Sequence, residues 1–149
     1  MSNEINLFKG EYAFLSNFQK CMVEFEGITY PSVEHAFQAA KTLDRDERLK
    51  FTKGSPVTVK GMGRRLKLRS DWEDVKDSVM YICLKSKFQN PEMRKKLLDT
   101  GDAVLIEGNN HGDRYWGVVN GEGQNKLGRL LMQIRSDICE ENKNKSASS

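Results

Sequence analysis

Residues 30–41 read Tyr-Pro-Ser-Val-Glu-His-Ala-Phe-Gln-Ala-Ala-Lys, and they contain the clearest helix start in the chain. Pro31 cannot extend a helix backwards, and Ser32 is a favourable N-cap. Glu34 then falls in the first helical turn, where free amide N–H groups and the helix dipole favour an ionised carboxylate. Apolar residues recur at helical spacing after Ser32. By itself, the stretch predicts a well-capped amphipathic helix.

The composition indicates a globular protein with one domain. The chain has 149 residues, of which 38% are hydrophobic and 30% are charged, and this length allows a substantial core. The formal net charge of +3 is too small to require a nucleic-acid partner. The last residues are polar and lack periodicity. We therefore predict a domain over residues 1–140 and a disordered tail over residues 141–149.

The cysteines and histidines do not form a disulfide or metal-binding pattern. The three cysteines are far apart and form no Cys-x-x-Cys pair, and two histidines are too few for a histidine-based metal site. No apolar run reaches membrane-spanning length, and the N-terminus has no signal-peptide pattern. These observations predict a cytoplasmic protein with no metal and no membrane association.

Periodicity and cap signals predict a mainly α fold, or an α+β fold with a few short strands. A hairpin is expected over residues 23–30, with its turn at Glu26-Gly27. Further helices are expected wherever an N-cap residue precedes a periodic segment. These helix starts are Asp44, Ser55, Ser70, Asn90 and Asn125, and the other predicted strands cover residues 5–8, 103–107 and 115–119.

A block of basic residues lies between Glu47 and Asp71, where the chain has no acid. Such a block can contact phosphate on a small ligand or on a nucleic acid, and it can equally be a solvated basic face. The eight bases are Arg48, Lys50, Lys53, Lys60, Arg64, Arg65, Lys67 and Arg69.

Three loop-rich segments carry polar residues that a core does not need. The first holds Asn17, Phe18, Tyr30 and Glu34, the second covers residues 61–65, and the third covers residues 111–125. Glycines in the last two allow the backbone to approach a ligand closely.

Individual residues of these segments have simpler structural explanations. Trp72 and Trp116 could stack on a flat base, although core packing explains either one as well. Asp113 could simply cap a turn. Together, the acids Glu34 and Asp113 with nearby aromatics and bases suit cleavage of a glycosidic bond, but the composition does not select this chemistry.

The chain resembles the YbiA-like or NADAR family, and the resemblance covers nearly its whole length. The segment at residues 30–41 is the most specific match, and no motif position departs from the family pattern. The matching residues are 14–18, 30–41, Gly63-Arg64, Trp72, Lys76, Met80-Tyr81, Lys87-Phe88, 98–101, 105–107, 113–117 and 121–128.

The resemblance implies a single compact, mainly helical domain with N-glycosidase activity and no cofactor. Family members are linked to hydrolysis of ribosylamino-pyrimidine phosphates, which are intermediates of riboflavin biosynthesis. Others are linked to removal of ADP-ribose from guanine in nucleic acid. We therefore expect a ribosyl phosphate as substrate, with ADP-ribosylated nucleic acid as the alternative. A non-catalytic module that binds ADP-ribose or NAD, or a nucleic-acid-binding protein that uses the basic block, are further alternatives.

The resemblance also suggests residue roles. Glu34 is expected to be the main catalytic carboxylate, stabilising positive charge at C1′ or activating water, and Asp113 is expected to hold ribose hydroxyls or water. Trp116, with Phe18 or Tyr30, would flank the leaving base. Phosphate or ribose would be held by Lys41, Arg64 and Asn125, and the other expected binding residues are Asn17, Trp72, Tyr115 and Gly117.

Overall fold

Helices dominate the computed structural model, which describes residues 3–148. The helices are α1 (Val33–Ala39), α2 (Arg45–Leu49), α3 (Pro56–Arg64), α4 (Trp72–Lys87), α5 (Pro91–Asp99) and α6 (Lys126–Ser148). The strands are β1 (Glu4–Ile5), β2 (Val23–Phe25), β3 (Ile28–Tyr30) and β4 (Val104–Leu105), and a 3₁₀ helix covers Gly10–Leu15. The predicted mainly α fold with a few short strands is confirmed. None of the helices in the described residues is long and apolar enough to cross a membrane.

The contacts of the chain group it into two compact units. We name them for their place in the sequence. The central unit comprises residues 17–90, and the terminal unit comprises residues 1–16 and 91–149. The predicted domain boundaries at residues 1–140 stay a prediction.

The central unit begins with the predicted hairpin. Strands β2 and β3 are antiparallel, with Val23 opposite Tyr30 and Phe25 opposite Ile28. The turn residues Glu26 and Gly27 have φ angles of 47° and 86°. Two positive φ angles in a two-residue turn match the twist of the flanking strands, which explains why two residues are enough to connect β2 to β3.

Helix α1 lies in the core of the central unit. It packs against α3 and α4 and against both hairpin strands, and all seven of its residues are buried. The prediction of an amphipathic helix is therefore wrong, because neighbouring elements cover every side of α1. The polar residues Glu34, His35 and Gln38 are buried with the apolar ones, and buried polar groups need internal hydrogen-bond partners.

The predicted N-cap residues mark the starts of α1, α2 and α3 in the central unit. The side chains of Ser32, Asp44 and Ser55 each accept a hydrogen bond from the backbone N–H three residues on. Helix α4 starts one residue later than predicted, after Asp71 rather than Ser70. A backbone hydrogen bond of 3.1 Å from Trp72 N–H to the Arg69 carbonyl closes the turn there.

The terminal unit joins β1 to β4 in parallel, and α6 packs against β4 and α5. Both strands are shorter than predicted. The predicted strand over residues 115–119 is wrong, because this segment makes only isolated bridges, from Val118 to Gly108 and from Val119 to Glu122. The second bridge closes a tight turn in which Asn120 and Gly121 have positive φ.

Helix α6 continues through Ser148, so residues 141–148 are helical rather than the predicted disordered tail, and Ser149 lies outside the described residues. Ion pairs support this extension. Arg94 of α5 contacts the Glu141 carboxylate at 3.0 Å, and Lys143 lies 3.7 Å from Glu140 on the same helix.

Candidate active site

The start of α1 is tied to the loop that precedes the hairpin. The Glu34 N–H donates to the Asn17 carbonyl at 3.1 Å, so two of the predicted site residues are adjacent. The Asn17 Nδ2 lies 3.6 Å from Met80 Sδ, whereas its Oδ1 is buried and accepts no hydrogen bond from residues 3–148. An unpaired buried acceptor is unusual in a folded protein.

Glu34 is only 7% exposed, and Gln38 is its direct hydrogen-bond partner. Gln38 Nε2 donates to Glu34 Oε1 at 2.8 Å across one helical turn. Burial raises the pKa of the Glu34 carboxyl, and the Gln38 hydrogen bond, Lys60, Lys41 and His35 oppose that rise. The expectation that the helix start keeps Glu34 readily ionised is therefore wrong, because desolvation raises the pKa more than the neighbouring groups lower it.

Two lysines, Lys41 and Lys60, act electrostatically on this carboxylate, and Arg64 acts on Lys41. Burial lowers the pKa of half-buried Lys41, Glu34 raises it, and Arg64 and Lys60 lower it further. Lys60 and Arg64 are four residues apart on α3 and share one face. Lys41 thus acts directly on Glu34, and Arg64 acts on Lys41; their roles in binding stay a prediction. Lys60 and Gln38 were missed, and the signal for both was their spacing of four residues from Arg64 and Glu34.

His35 has a structural role in α1. Its Nε2 lies 2.8 Å from the Gly54 carbonyl oxygen, and its Nδ1 lies 2.6 Å from Ser32 Oγ. A carbonyl only accepts, so Nε2 carries a proton and donates it to Gly54. Nε2 thereby links α1 to the turn before α3, and Nδ1 contacts the N-cap residue of α1.

Of the predicted aromatic residues in the central unit, two are core residues. Trp72 is 6% exposed and packs on Phe37, with ring centroids 5.1 Å apart, which removes its proposed base-stacking role. Tyr30 is 1% exposed, and burial raises its pKa to about 12, so the structure does not support its contact with a leaving base. Phe18 is 41% exposed, and its predicted contact with the leaving group stays a prediction.

In the terminal unit, Asp113 organises a loop. Its Oδ1 accepts from the backbone N–H groups of Tyr115 at 3.1 Å and Trp116 at 2.9 Å. Asn109 braces the same turn through the backbone N–H and carbonyl of Asp113, at 3.0 and 2.9 Å. Trp116 is half-buried and meets the Tyr115 ring edge-on at 4.9 Å. This geometry bears out the turn-capping alternative for Asp113.

Asn125 does not cap α6 with its side chain. Its Oδ1 accepts from the Glu107 N–H at 3.0 Å, and its Nδ2 donates to the Leu105 carbonyl at 2.9 Å. The amide therefore braces the end of β4, and its predicted contact with phosphate or ribose stays a prediction. The backbone carbonyls of Tyr115 and Trp116 accept the first N–H groups of α6 instead, and tertiary contact thus replaces the predicted cap.

Gly117 is buried because the chain passes closely over it. A Cβ at this position would overlap the Glu107 carbonyl and lie 2.7 Å from Asn109 Nδ2. Beside it, a cavity of about 800 Å³ in the terminal unit is lined by Glu107, Asn109 and His111 among others. Glu107 is a cavity-lining acid that sequence reasoning missed, although its place directly after a buried strand was a signal.

The predicted site residues thus fall into two groups. The central unit brings together Glu34, Asn17, Lys41 and Arg64, and the terminal unit holds Asp113, Tyr115, Trp116 and Gly117. The pairing of Glu34 with Asp113 stays a prediction.

A buried carboxyl group whose pKa is perturbed by desolvation and by nearby cations marks a candidate functional site. A family model described as the NADAR domain matches residues 7–139, and the chain belongs to this family. The predicted family is confirmed.

Similar proteins support an enzymatic role. The N-glycosidase YbiA of Escherichia coli (strain K12) is 42% identical over 134 residues, covering 87% of this chain and 83% of that protein. The NMR structure of E. coli YbiA superposes with a TM-score of 0.82 at 39% identity, covering 95% of this chain and 89% of that one. A riboflavin biosynthesis protein of Vibrio vulnificus is 34% identical over 134 residues, covering 87% of this chain and 36% of that protein. The prediction of a hydrolase that cleaves N-glycosidic bonds is confirmed.

Proposed function

We propose that the protein hydrolyses the bond between ribose C1′ and nitrogen in a small, negatively charged ribosyl compound, namely a ribosylamino-pyrimidine phosphate. The observation that carries this proposal is the buried Glu34 carboxylate, on which Lys41 and Lys60 act directly, with Arg64 acting in turn on Lys41. A carboxylate suits a positively charged transition state, and the cations suit a phosphate. The name of the Vibrio vulnificus relative supports a substrate from riboflavin biosynthesis.

In this reaction the C1′–N bond breaks and a C1′–O bond to water forms. Positive charge develops at C1′, and the ionised Glu34 stabilises it or accepts a proton from the attacking water. The leaving nitrogen takes up one proton, so that the products are a free amine or base and a ribose phosphate. Because Glu34 is buried, its electrostatic effect on C1′ is stronger than in water.

The remaining residues would hold the substrate. The unpaired Asn17 Oδ1 is an acceptor suited to a ribose hydroxyl. The exposed Phe18 would contact the flat leaving group. The contact of Trp116 with that group stays a prediction. Asp113 would act by holding the loop that carries Trp116, and its carboxylate keeps the predicted role toward ribose or water.

The test is mass spectrometry of the purified protein with a substrate panel. The panel contains ribosylamino-pyrimidine phosphate, NAD, ADP-ribose and DNA with ADP-ribosylated guanine. We expect release of ribose phosphate from the first compound. Release of ADP-ribose from guanine instead would reassign the substrate, and binding without cleavage of any compound would favour the non-catalytic module.

The catalytic role is tested by Glu34→Gln, which keeps the size of the side chain and removes its charge. We expect turnover to fall by on the order of 10²-fold or more. Glu24→Gln is the matched control, because Glu24 is an exposed acid on β2 of the same unit. Turnover close to wild type in a folded Glu34→Gln protein would contradict the role of Glu34.

A further inference from the structure

Gln38 connects the proposed catalytic acid to a glycine on the neighbouring helix. Its side chain is buried at 4% exposure, and its Nε2 donates to Glu34 Oε1 at 2.8 Å. Within residues 3–148, this amide is the one hydrogen-bond donor to the carboxylate. The orientation of the Glu34 carboxylate therefore depends on where the Gln38 amide is held.

The other end of the same amide lies against Gly63 of α3. A Cβ added to Gly63 would overlap Gln38 Oε1 and lie 2.8 Å from its Cδ and 3.3 Å from its Cβ. Gln38 Oε1 is buried and accepts no hydrogen bond from the described part of the chain. Steric contact with the Gly63 backbone, rather than a hydrogen bond, thus confines this oxygen.

The backbone does not require a glycine at position 63. Gly63 lies inside α3 and is not among the glycines with positive φ, and glycine lowers the stability of a helix interior relative to alanine. Gly61 on the same helix provides a contrast, because an added Cβ there would have no described atom within 4 Å. What makes position 63 special is the space occupied by Gln38.

The two ends of the amide are not equivalent toward Glu34. The NH₂ end donates to the carboxylate, whereas a reversed amide would place one oxygen against another and repel the ionised form. The present orientation therefore supports the ionised carboxylate, whose pKa burial raises and the Gln38 hydrogen bond lowers.

We infer that Gln38 is the positioning residue for the Glu34 carboxylate, and that Gly63 is a glycine because the Gln38 amide occupies the space of its missing side chain. The consequence for catalysis rests on the function proposed above for Glu34. The contact between Gln38 and Gly63 does not depend on that function, so the positioning role and the proposed function can be tested separately.

Two variants remove the contact from opposite ends. Gln38→Met keeps the length of the side chain and removes the hydrogen-bond donor. Gly63→Ala keeps the amide, and its added methyl group displaces the amide from its present position. Gly61→Ala is the matched control, with the same change on the same helix. Lys60, Lys41 and His35, the charged and titratable groups that act on Glu34, are unchanged in all three.

The first readout is the titration of the Glu34 carboxyl by carbon-13 NMR, which needs no substrate. Losing one hydrogen bond to a charged group should raise the pKa of Glu34 by about 1 unit in Gln38→Met and in Gly63→Ala. The second readout is the dependence of kcat/KM on pH, whose acid limb should move to higher pH by the same amount. Gly61→Ala should leave both unchanged.

A double variant separates positioning from general damage to the fold. In Gln38→Ala the amide is absent, so adding Gly63→Ala should change neither the titration nor kcat/KM any further. A Glu34 titration that is unaltered in Gln38→Met and Gly63→Ala would overturn the inference, as would a loss in Gly63→Ala that persists in full without the Gln38 amide. If no substrate of the panel is cleaved, the proposed function fails, and the NMR titration still decides the contact.

Discussion

The carboxyl group of Glu34 is buried, and burial disfavours its ionised form. Burial raises its pKa, so between the ordinary and the raised pKa the folded protein binds a proton more tightly than the unfolded chain does. The stability that this difference contributes is fully present below the ordinary pKa and is lost as pH rises through the raised one. Stability is thus reduced at the pH where the ionised carboxylate is needed, which is common at functional sites.

Glu34→Gln should therefore stabilise the protein at neutral and alkaline pH while lowering its turnover. We expect a higher midpoint of thermal unfolding than wild type at about pH 8, with the difference shrinking as pH falls to about 4. Calorimetry across this range measures it, with Glu24→Gln as the exposed-acid control. A Glu34→Gln protein that is less stable than wild type at the higher pH would contradict the burial argument.

At the scale of the element, the start of α1 carries more than an N-cap. Ser32 Oγ accepts from the His35 N–H at 3.2 Å and contacts His35 Nδ1 at 2.6 Å, and the opposite ring nitrogen donates to Gly54 just before α3. One serine thereby starts α1 and fixes the imidazole that ties α1 to the next helix. This link helps to keep Gly63 and Gln38 in contact.

Ser32→Ala should accordingly lower the free energy of unfolding by more than the loss of an ordinary N-cap does. We expect a loss of about 2–3 kcal/mol, because an N-cap is removed and a buried imidazole nitrogen loses its hydrogen-bond partner. Ser55→Ala, at the exposed N-cap of α3, should cost about 1 kcal/mol. Urea unfolding of both variants gives the comparison, and equal losses would show that the His35 link adds nothing.

At the scale of the whole molecule, some residues of the basic block make structural ion pairs, whereas others lie near the proposed active site. Arg48 is buried, contacts Glu26 at 3.1 Å and donates to the Thr42 carbonyl at 2.8 Å, and Arg69 pairs with Asp71. Lys60 and Arg64 instead act on the Glu34 site. Two of the eight bases thus act at the Glu34 site, and this local positive charge is suited to a small anionic ligand.

Removing the site cations should weaken substrate binding more than removing other cations of the block. We expect the double variant Lys60→Gln with Arg64→Gln to raise KM for a phosphorylated substrate by about 10-fold, and added salt should reduce this difference. Lys53→Gln with Lys67→Gln is the matched control, since it changes the net charge equally at exposed positions. Equal effects of the two pairs would point to a diffuse field instead of a local phosphate site.

Much of this protein can be predicted from the chain because the responsible contacts are local. The N-caps at Ser32, Asp44 and Ser55 are bonds to a backbone N–H three residues away, and the hairpin turn needs only Glu26 and Gly27 in positive φ. Such signals do not depend on the rest of the fold. The family match and the choice of Glu34 as a candidate acid likewise come from contiguous residues.

Tertiary packing decided the properties that make the site work. No local pattern shows that neighbouring elements bury every side of α1, and this burial reverses the expected direction of the Glu34 pKa. It also puts Trp72 in the core and sets the Gln38 amide against Gly63, which is 25 residues away in sequence. Tertiary packing likewise places the Asn125 amide where it bonds to the backbone at the end of β4 and not to its own helix. Caps and turns are formed within a few residues, whereas desolvation and steric contact depend on which elements meet in space.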